Sequence, residues 1–544
     1  GTGATPSLIG RWGSVEREFR VFGPPGTGKT TYLSRQIVRA VGAYGADNVL
    51  VTSFTRAAAV ELTGRQLPIP KDNVGTLHAH CYRAMGRPEI AETRVADFNV
   101  FAPIYAVSDE QRGEDMLDSP SDTLGRSFGD AIKMEYQRLR GRMVPRELWP
   151  SSVRGFAAKW EEWKKSNGLV DYTDMLETAY RDFEAAPGAP DVLFVDEAQD
   201  LNPLMLAIVR KWAEKADQCV IAGDDDQVLY RFLGATPKAF LEPDIPAERK
   251  FVLRQSYRVP RAVQEWATKW ISRVSQREPK EYQPRDYEGA VIYGHTGMTY
   301  RSPMALIEDA HQYLSQGKTV MFLGACSYHV DPLRRALSDE GIRFHNPYRT
   351  SNMLWNPLTA TRGVSVKDKF LAFLRRPWTV ADAKLWTSLV KVSGMRRHIR
   401  DLLNMWDDDR TLAVDEVFDF DTHEELMDTF VFGDEAQQVD WLARNLLAGV
   451  KLDKVLAVYR RHGAGPLNEA PKVILGTIHS VKGGEADVVY LLPDLSIAGG
   501  EEWAGGGVEA RDSVIRQFYV GATRARDTLV LCQPASAQAV SWIY

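Results

Sequence analysis

Three stretches of this sequence have residue types and spacing suited to nucleotide chemistry. The first is Gly23-Pro24-Pro25-Gly26-Thr27-Gly28-Lys29-Thr30, followed by Thr31. It fits the pattern G-x-x-x-x-G-K-[ST], in which backbone N–H groups cradle phosphates, the lysine reaches the β and γ oxygens and the hydroxyl holds Mg2+. Glycines suit positions 23, 26 and 28, because a Cβ there would block the turn and hold the backbone off an anion. The second is Asp196-Glu197-Ala-Gln199-Asp200, which ends an apolar run beginning at Val192. If the loop holds a nucleotide, one acid there can hold Mg2+ and a neighbour can orient or deprotonate an attacking water. The third, Gln517-Phe-Tyr519-Val-Gly521-Ala-Thr523-Arg524-Ala-Arg526, has helical spacing and presents arginines. An arginine from a second domain can stabilise charge developing on a γ-phosphate.

These groups need elements that bring them to one place. A short apolar run (Phe19, Val21, Phe22) precedes the loop, and Leu33, Ile37 and Val41 fall at i, i+4 and i+8 behind it. That spacing predicts an amphipathic helix whose positive N-terminus opens at the loop. The apolar run at 192–195 reads as a parallel strand covered on both faces. The stretch from Val49 reads as a strand ending in Ser53, Phe54, Thr55 and Arg56, with a helix starting at the alanines. Hydroxyls, an aromatic and a cation then lie at the carboxyl edge of a sheet, where open α/β folds bind ligands. Val74-Gly-Thr76-Leu-His78 offers a hydroxyl and an imidazole that could reach a phosphate backbone, or a histidine that simply completes local hydrogen bonds.

The layout repeats downstream. Gln218 to Gly223 reads as a strand that gives way to Asp224, Gln227, Tyr230, Arg231 and Phe232, and the run from Phe251 leads to Tyr257 and Arg258. A second βα series begins near Gly289, with strand-like runs at 290–293, 319–323, 473–475, 487–492 and 528–531. One of them leads through Thr477, His479, Lys482 and a Gly pair to Glu485. Two α/β layers with a nucleotide between them are the simplest architecture.

The 544 residues suggest several domains, and 44 % hydrophobic with 26 % charged residues is an ordinary globular composition. A net charge of -5 means that any grip on nucleic acid must be local. Four scattered cysteines show no metal spacing or disulfide framework, and no apolar run approaches the length that spans a bilayer. A cytoplasmic, nucleoid-associated protein with no membrane contact is expected. Two stretches interrupt the pattern. In the first, the cations of 133–146 precede Trp149, Trp160 and Trp163; this suits a single strand, or equally a solvated helix face backed by buried tryptophans. In the second, 350–465, a basic start (Lys367 to Arg400) gives way to acids, and between Asp407 and Asp440 only Arg410 opposes them. Such polarity suits an arm with one nucleic-acid or protein-facing side.

Taken together, GPPGTGKT, VTSFTRAAAVEL, VGTLHAH, LFVDEAQD, IAGDDDQVLYRFLGA, LRQSYR, LGTIHSVKGGEAD and QFYVGATRARD occur in the order found in superfamily 1 helicases. As a set they resemble the UvrD/PcrA/Rep group. The resemblance implies an α/β fold of two RecA-like parallel-sheet motor domains, each interrupted by a mostly helical insertion. The first motor domain would be 1–86 with 166–285, the second 286–349 with 466–544, and the insertions 87–165 and 350–465. It further implies ATP and Mg2+ as cofactors. The loop from Gly23 to Thr31 would bind phosphate, Lys29 would meet it, and Thr30 and Asp196 would hold the metal. Glu197 would act as general base, Gln227 would sense the γ-phosphate, and Arg258 and Arg524 would contact it. Tyr257 would stack on adenine and Glu485 would meet the ribose. Single-stranded DNA would lie on Phe54, Thr55, Arg56, Thr76, His78, Tyr230, Phe232, Thr477 and His479.

The activity so implied is ATP-driven 3′ to 5′ movement on single-stranded DNA with duplex separation, in repair, replication or recombination. Single strands and single-strand/duplex junctions would be its partners, with a protein partner at the acidic 407–440 region. The alternative is a nucleotide-gated clamp or remodeller that works through a protein partner with little unwinding. The sequence departs from the family in four places. Residues 1–22 contain no glutamine where the family has one that reads adenine, and Phe232-Leu233 replaces Trp-Arg. Gly483-Gly484-Glu485-Ala486 stands where Gly-Leu-Glu-Phe is common, and the second insertion is short.

Overall fold

In a computed structural model, residues 17–108, 127–350, 352–360 and 363–544 are described, apart from the side chains of residues 56 and 57. The first sheet contains β1 (Glu18–Phe22), β2 (Val49–Ser53), β3 (Val74–Thr76), β4 (Val192–Asp196), β5 (Gln218–Gly223) and β6 (Lys250–Val252). Its order is β3-β2-β4-β5-β1-β6 and its pairs are parallel. Every residue of β4 and β5 is buried, as a parallel sheet with helices on both faces requires. On one face Val192 and Phe194 meet Leu33, Ile37 and Ala40 of the helix Lys29–Tyr44. On the other, Leu193 and Val195 meet Leu204, Ile208 and Trp212 of the helix Pro203–Ala213. This alternation along β4 holds the loop after β1 and the acids after β4 at the same edge of the sheet.

The second sheet contains β7 (Ala290–Tyr293), β8 (Val320–Gly324), β9 (Phe344–His345), β10 (Val473–Thr477), β11 (Ala486–Leu491) and β12 (Ala525–Leu531), in the order β7-β12-β11-β8-β10-β9. The strands expected in both series are present, within a residue or two at their ends except that β12 begins three residues earlier than expected. Two short strands, β3 and β9, were not anticipated. The fold is α/β, with two parallel-strand sheets and flanking helices.

The chain divides into two compact units. One comprises Gly1–Thr299, Leu323–His329 and Thr477–Tyr544; the other comprises Tyr300–Phe322 and Val330–Gly476. The first unit holds the whole first sheet together with β7, β11 and β12. It also carries the 87–165 stretch, whose described residues include the helices Val95–Phe101, Phe128–Gly141 and Ser151–Asn167. Phe98, Tyr136, Trp149, Phe156, Trp160 and Trp163 form a core of their own there, all buried. Of the two readings of this stretch, buried tryptophans are what the structure contains. Three of its cations pair with acids of this stretch or of the helix that follows it. Arg138 pairs with Glu135, Arg146 with Glu161, and Arg140 with Asp171, Asp174 and Glu177.

The second unit's 350–465 stretch is mostly helical in its described residues, from Val366–Leu374 to Asp453–His462, around Trp378, Trp386, Phe418, Phe430 and Trp441. The four cysteines are buried free thiols. Among the described residues no helix is long and apolar enough to cross a membrane.

Candidate functional site

The loop after β1 is held by backbone. The Gly23 N–H donates to the Gly223 carbonyl at 2.9 Å, which ties the loop to the end of β5. Gly26 and Gly28 have φ of 70° and 75°, a region open to glycine and strained for other residues. At Gly26 there is a second reason: a Cβ would fall 2.5 Å from the Arg258 Cβ and 2.9 Å from the Ser256 hydroxyl. The Ser256 hydroxyl donates to the Pro25 carbonyl at 2.8 Å and the Tyr257 N–H to the Gly26 carbonyl at 2.8 Å. The Thr27 hydroxyl donates to the Pro24 carbonyl at 2.7 Å, and Thr31 accepts from Arg65 at 3.0 Å. Behind the loop the helix Lys29–Tyr44 starts with no side-chain cap, so its first N–H groups and its dipole face the loop. Thr30 sits half-buried in that first turn.

Lys29 joins the loop to the acids. Its ammonium donates to the Asp196 carboxylate and to Glu197 Oε1, the latter at 2.7 Å. Burial works against that charge, yet Asp196 and Glu197 together hold the lysine above its ordinary pKa. The acids are driven apart. Burial would raise Glu197, but Lys29 and Lys482 outweigh it and hold the carboxyl below the usual range. Burial raises Asp196 against the pull of Lys29, and the charge of Glu197 raises it further. Glu197 also has φ 52°, a left-handed backbone that costs an L residue roughly 1–2 kcal/mol and collects at functional sites. Gln199 donates to Glu197 at 2.6 Å. Lys482 donates to the Asp200 carboxylate and to the Gln227 carbonyl at 3.1 Å, and lies 3.7 Å from Glu197.

Residues late in the chain complete this pocket within the first unit. Arg524 is 1 % exposed and donates to Gln227 Oε1 at 3.1 Å, with further bonds to the Val520 and Gly484 carbonyls. Gln227 in turn donates to Asp224 at 2.7 Å. Glu485 accepts from Arg258 at 3.1 Å and from Arg526 at 2.7 Å; against burial, these arginines hold its carboxyl below the usual range. Tyr257, beside the loop, is 68 % exposed. Among the described residues no group of three or more His, Cys, Asp or Glu could hold a metal ion. Mg2+ takes one or two protein ligands and the rest from water and phosphates; the Asp196 carboxylate and the Thr30 hydroxyl are oxygen donors of that kind.

A second cluster lies along the same sheet edge. Phe54 and Tyr230 have ring centroids 4.9 Å apart, Tyr230 and Phe232 6.0 Å, and Phe232 and His479 5.8 Å. Tyr230 and His479 are buried, whereas Phe54 and Phe232 are only half-buried. The first pair therefore backs the second. Thr55 and Thr76 cap helices, accepting from the Ala58 and Ala79 N–H groups at 3.1 and 3.2 Å. The Thr477 hydroxyl accepts from the Ser480 N–H at 3.2 Å. His78 stands edge-on to Tyr172, and burial lowers its pKa to about 4. Arg56 begins the helix Arg56–Gly64, and its side chain lies outside the described residues.

Several partners were not anticipated. Lys482 lies inside a motif already noted, and its cation was the available signal. Lys280 gave none. It is buried in a loop, with its ammonium 2.7 Å from Asp225, 2.9 Å from Asp226 and 3.3 Å from Asp224.

Residues 12–246 match the family model described as the UvrD/REP helicase N-terminal domain. That match and the order of the motifs point to the UvrD/PcrA/Rep group of superfamily 1 helicases. The matched span includes the phosphate loop, Asp196, Glu197, Gln227, Tyr230 and Phe232, and leaves Tyr257, Arg258, Glu485 and Arg524 beyond it. Among curated relatives, the chain is similar to the ATP-dependent DNA helicase PcrA of Staphylococcus aureus. The two are 24 % identical over 362 residues, covering 62 % of this chain and 49 % of that one. The same-named protein of Staphylococcus epidermidis is 23 % identical over equal shares. The chain thus spans about half the length of the curated relatives it matches.

Proposed function

We propose that this UvrD/PcrA-group protein is a DNA-dependent ATPase that moves 3′ to 5′ along single-stranded DNA and separates duplexes, in repair, replication or recombination. The observation that carries this reading is one pocket containing Lys29, Asp196, Glu197, Gln227 and Arg524. The motor domains would be 1–86 with 166–285 and 286–349 with 466–544, and the insertions 87–165 and 350–465. Lys29 would exchange its carboxylate partners for the β and γ oxygens, while the backbone of 23–30 cradles the phosphates. Bound at Thr30 and Asp196, Mg2+ would neutralise charge on those oxygens. Glu197, kept ionised by Lys29 and Lys482 and steered by Gln199, would take the proton of the attacking water. Arg524 and Arg258 would stabilise the charge that develops, with Gln227 reporting it to Asp224.

Tyr257, whose exposed ring can take a flat base, would stack on adenine, and Glu485 would meet the ribose. On the DNA side, Phe54 and Phe232 would present stacking faces backed by Tyr230 and His479. Arg56, Thr55, Thr76, His78 and Thr477 would lie along the phosphate path. Work on cytoplasmic, nucleoid-associated DNA follows from that substrate. The deciding experiment is strand displacement on paired 3′-tailed and 5′-tailed duplexes with ATP consumption recorded in parallel. Displacement of the 3′-tailed substrate alone is expected; hydrolysis that ignores single-stranded DNA would overturn the reading.

A second reading rests on the exposed acids of the 350–465 stretch, including Asp407, Asp409, Asp421, Glu424, Glu425 and Asp434. It is a clamp or remodeller acting through a protein partner at 407–440. Deleting 407–440 would then abolish partner pull-down and leave DNA-stimulated hydrolysis intact.

A further inference from the structure

Away from the nucleotide pocket and the aromatic cluster, three indoles of the first unit lie nearly parallel. Trp266 and Trp270, on the helix Arg261–Ile271, are 5.2 Å apart between ring centroids, with planes 12° apart. Trp503, on the helix Ile497–Gly505, lies 6.4 Å beyond Trp270 with planes 9° apart. The inner two are anchored: Trp270 donates to the Ile515 carbonyl at 2.8 Å and Trp266 to the Ile543 carbonyl at 3.2 Å. Trp503, the outermost, is half-buried. Two guanidiniums pack on it. The Arg273 carbon lies 4.7 Å from the Trp270 ring centre and 5.4 Å from that of Trp503, and the Arg511 carbon lies 5.3 Å from Trp503.

Neither arginine has an acid partner among the described residues, and one terminal nitrogen of Arg273 is buried without a hydrogen bond. The acids close by in sequence are engaged elsewhere or face solvent. Glu502 pairs with Arg231, Glu509 with Arg142 and Arg231, Asp512 accepts from Ser275, and Glu501 is exposed. Burial and the charge of Arg511 both lower the Arg273 pKa, as expected of two cations held together without a counter-ion. Stacking on an indole fixes the plane of a guanidinium and leaves its N–H edge free for a bidentate anion.

We infer that Arg273 and Arg511, held on Trp503, form a second contact for a nucleic-acid strand, taking its phosphodiester backbone at a point separate from the Phe54–Tyr230–Phe232–His479 cluster. The inference rests on the proposed single-strand substrate. Phosphate is the fitting group because the exposed Arg511 guanidinium offers two parallel donors and a phosphodiester supplies the negative charge that the two cations lack. Arg511 is exposed, so the site faces solvent.

The test is binding of a fluorescent oligothymidylate to the full chain by anisotropy across a salt series, comparing the parent protein, Arg511→Gln and Arg273→Gln/Arg511→Gln. The double variant should bind several-fold more weakly at low salt. Its log affinity should fall less steeply with log salt, by about 1 to 2 in slope, because fewer counterions are released. ATP hydrolysis without DNA should be unchanged. If the double variant misfolds, the exposed Arg511→Gln carries the test, with about half the change in slope. An unchanged slope and affinity in a folded variant would overturn the inference and leave the motor proposal standing; no binding by the parent protein would remove both.

Discussion

Glu197 concentrates several demands in one residue. Its backbone is left-handed, its carboxylate accepts from Lys29 and Gln199, and Lys482 lies 3.7 Å away. A carboxylate held ionised by two ammoniums loses basicity, so for Glu197 to act on water Lys29 must first transfer to the phosphates. Glu197→Gln keeps the shape and removes the base. Nucleotide affinity should stay within a few-fold while hydrolysis falls by about 10²–10⁴, read by fluorescent-nucleotide binding and phosphate release. Loss of binding would count against the general-base role. Lys29→Ala would remove the proposed phosphate ligand and leave Asp196 and Glu197 facing each other without their shared cation. Turnover should drop to background, and a variant that hydrolyses normally would refute the site.

Among the elements, legibility followed length and burial. β4 and β5 were readable because a parallel strand covered on both faces must be continuously apolar, and Val192 to Val195 and Cys219 to Ala222 are. β3 and β9 span three and two residues, too few for any period to show. The loop's backbone conformation was legible from its glycines, but the strap from Ser256 and Tyr257 was not, because nothing in the sequence marks which distant hydroxyl meets Pro25. The tryptophans of 149–163 admitted two readings because cations beside aromatics look alike whether the rings face solvent or core; only tertiary packing decides. Trp160 is fully buried between Phe98, Phe156 and Trp163. Trp160→Ala should cost about 3–5 kcal/mol, seen as a lowered denaturant midpoint. In the same insertion Glu92 is buried, and burial lifts its pKa to about 7, against Lys133 and with the help of Asp171. A folded-state pKa above the unfolded one gives stability that is complete below about pH 4.5 and lost as pH rises through 7. Glu92→Gln should therefore raise Tm at pH 8, with the gain vanishing near pH 5, as thermal melts at the two pH values would show.

Across the whole molecule, the pocket is assembled from opposite ends of the chain. Its phosphate loop follows β1 and its buried arginine precedes β12 by one residue. Arg524 is held by the Val520 and Gly484 carbonyls on its own side and reaches across to Gln227. Arg516, on the helix Gly507–Ala522 that ends two residues before Arg524, donates to the Asp225 carbonyl at 2.8 Å. The helix and the turn after it thus touch Asp225 and Gln227, so any opening between these segments must break both contacts. In the role proposed for it, Arg524 would act on the charge that appears during transfer and not on ground-state affinity. Arg524→Ala should lower turnover by about 10³ or more while nucleotide affinity changes by less than about threefold. Arg524→Lys, with charge but no fork, should recover only part of the loss. Parallel kcat and Kd measurements decide the matter: equal losses in both would mean that Arg524 merely holds the nucleotide, and the coupling of the far end of the chain to hydrolysis would have to be sought at Arg258 or Lys482.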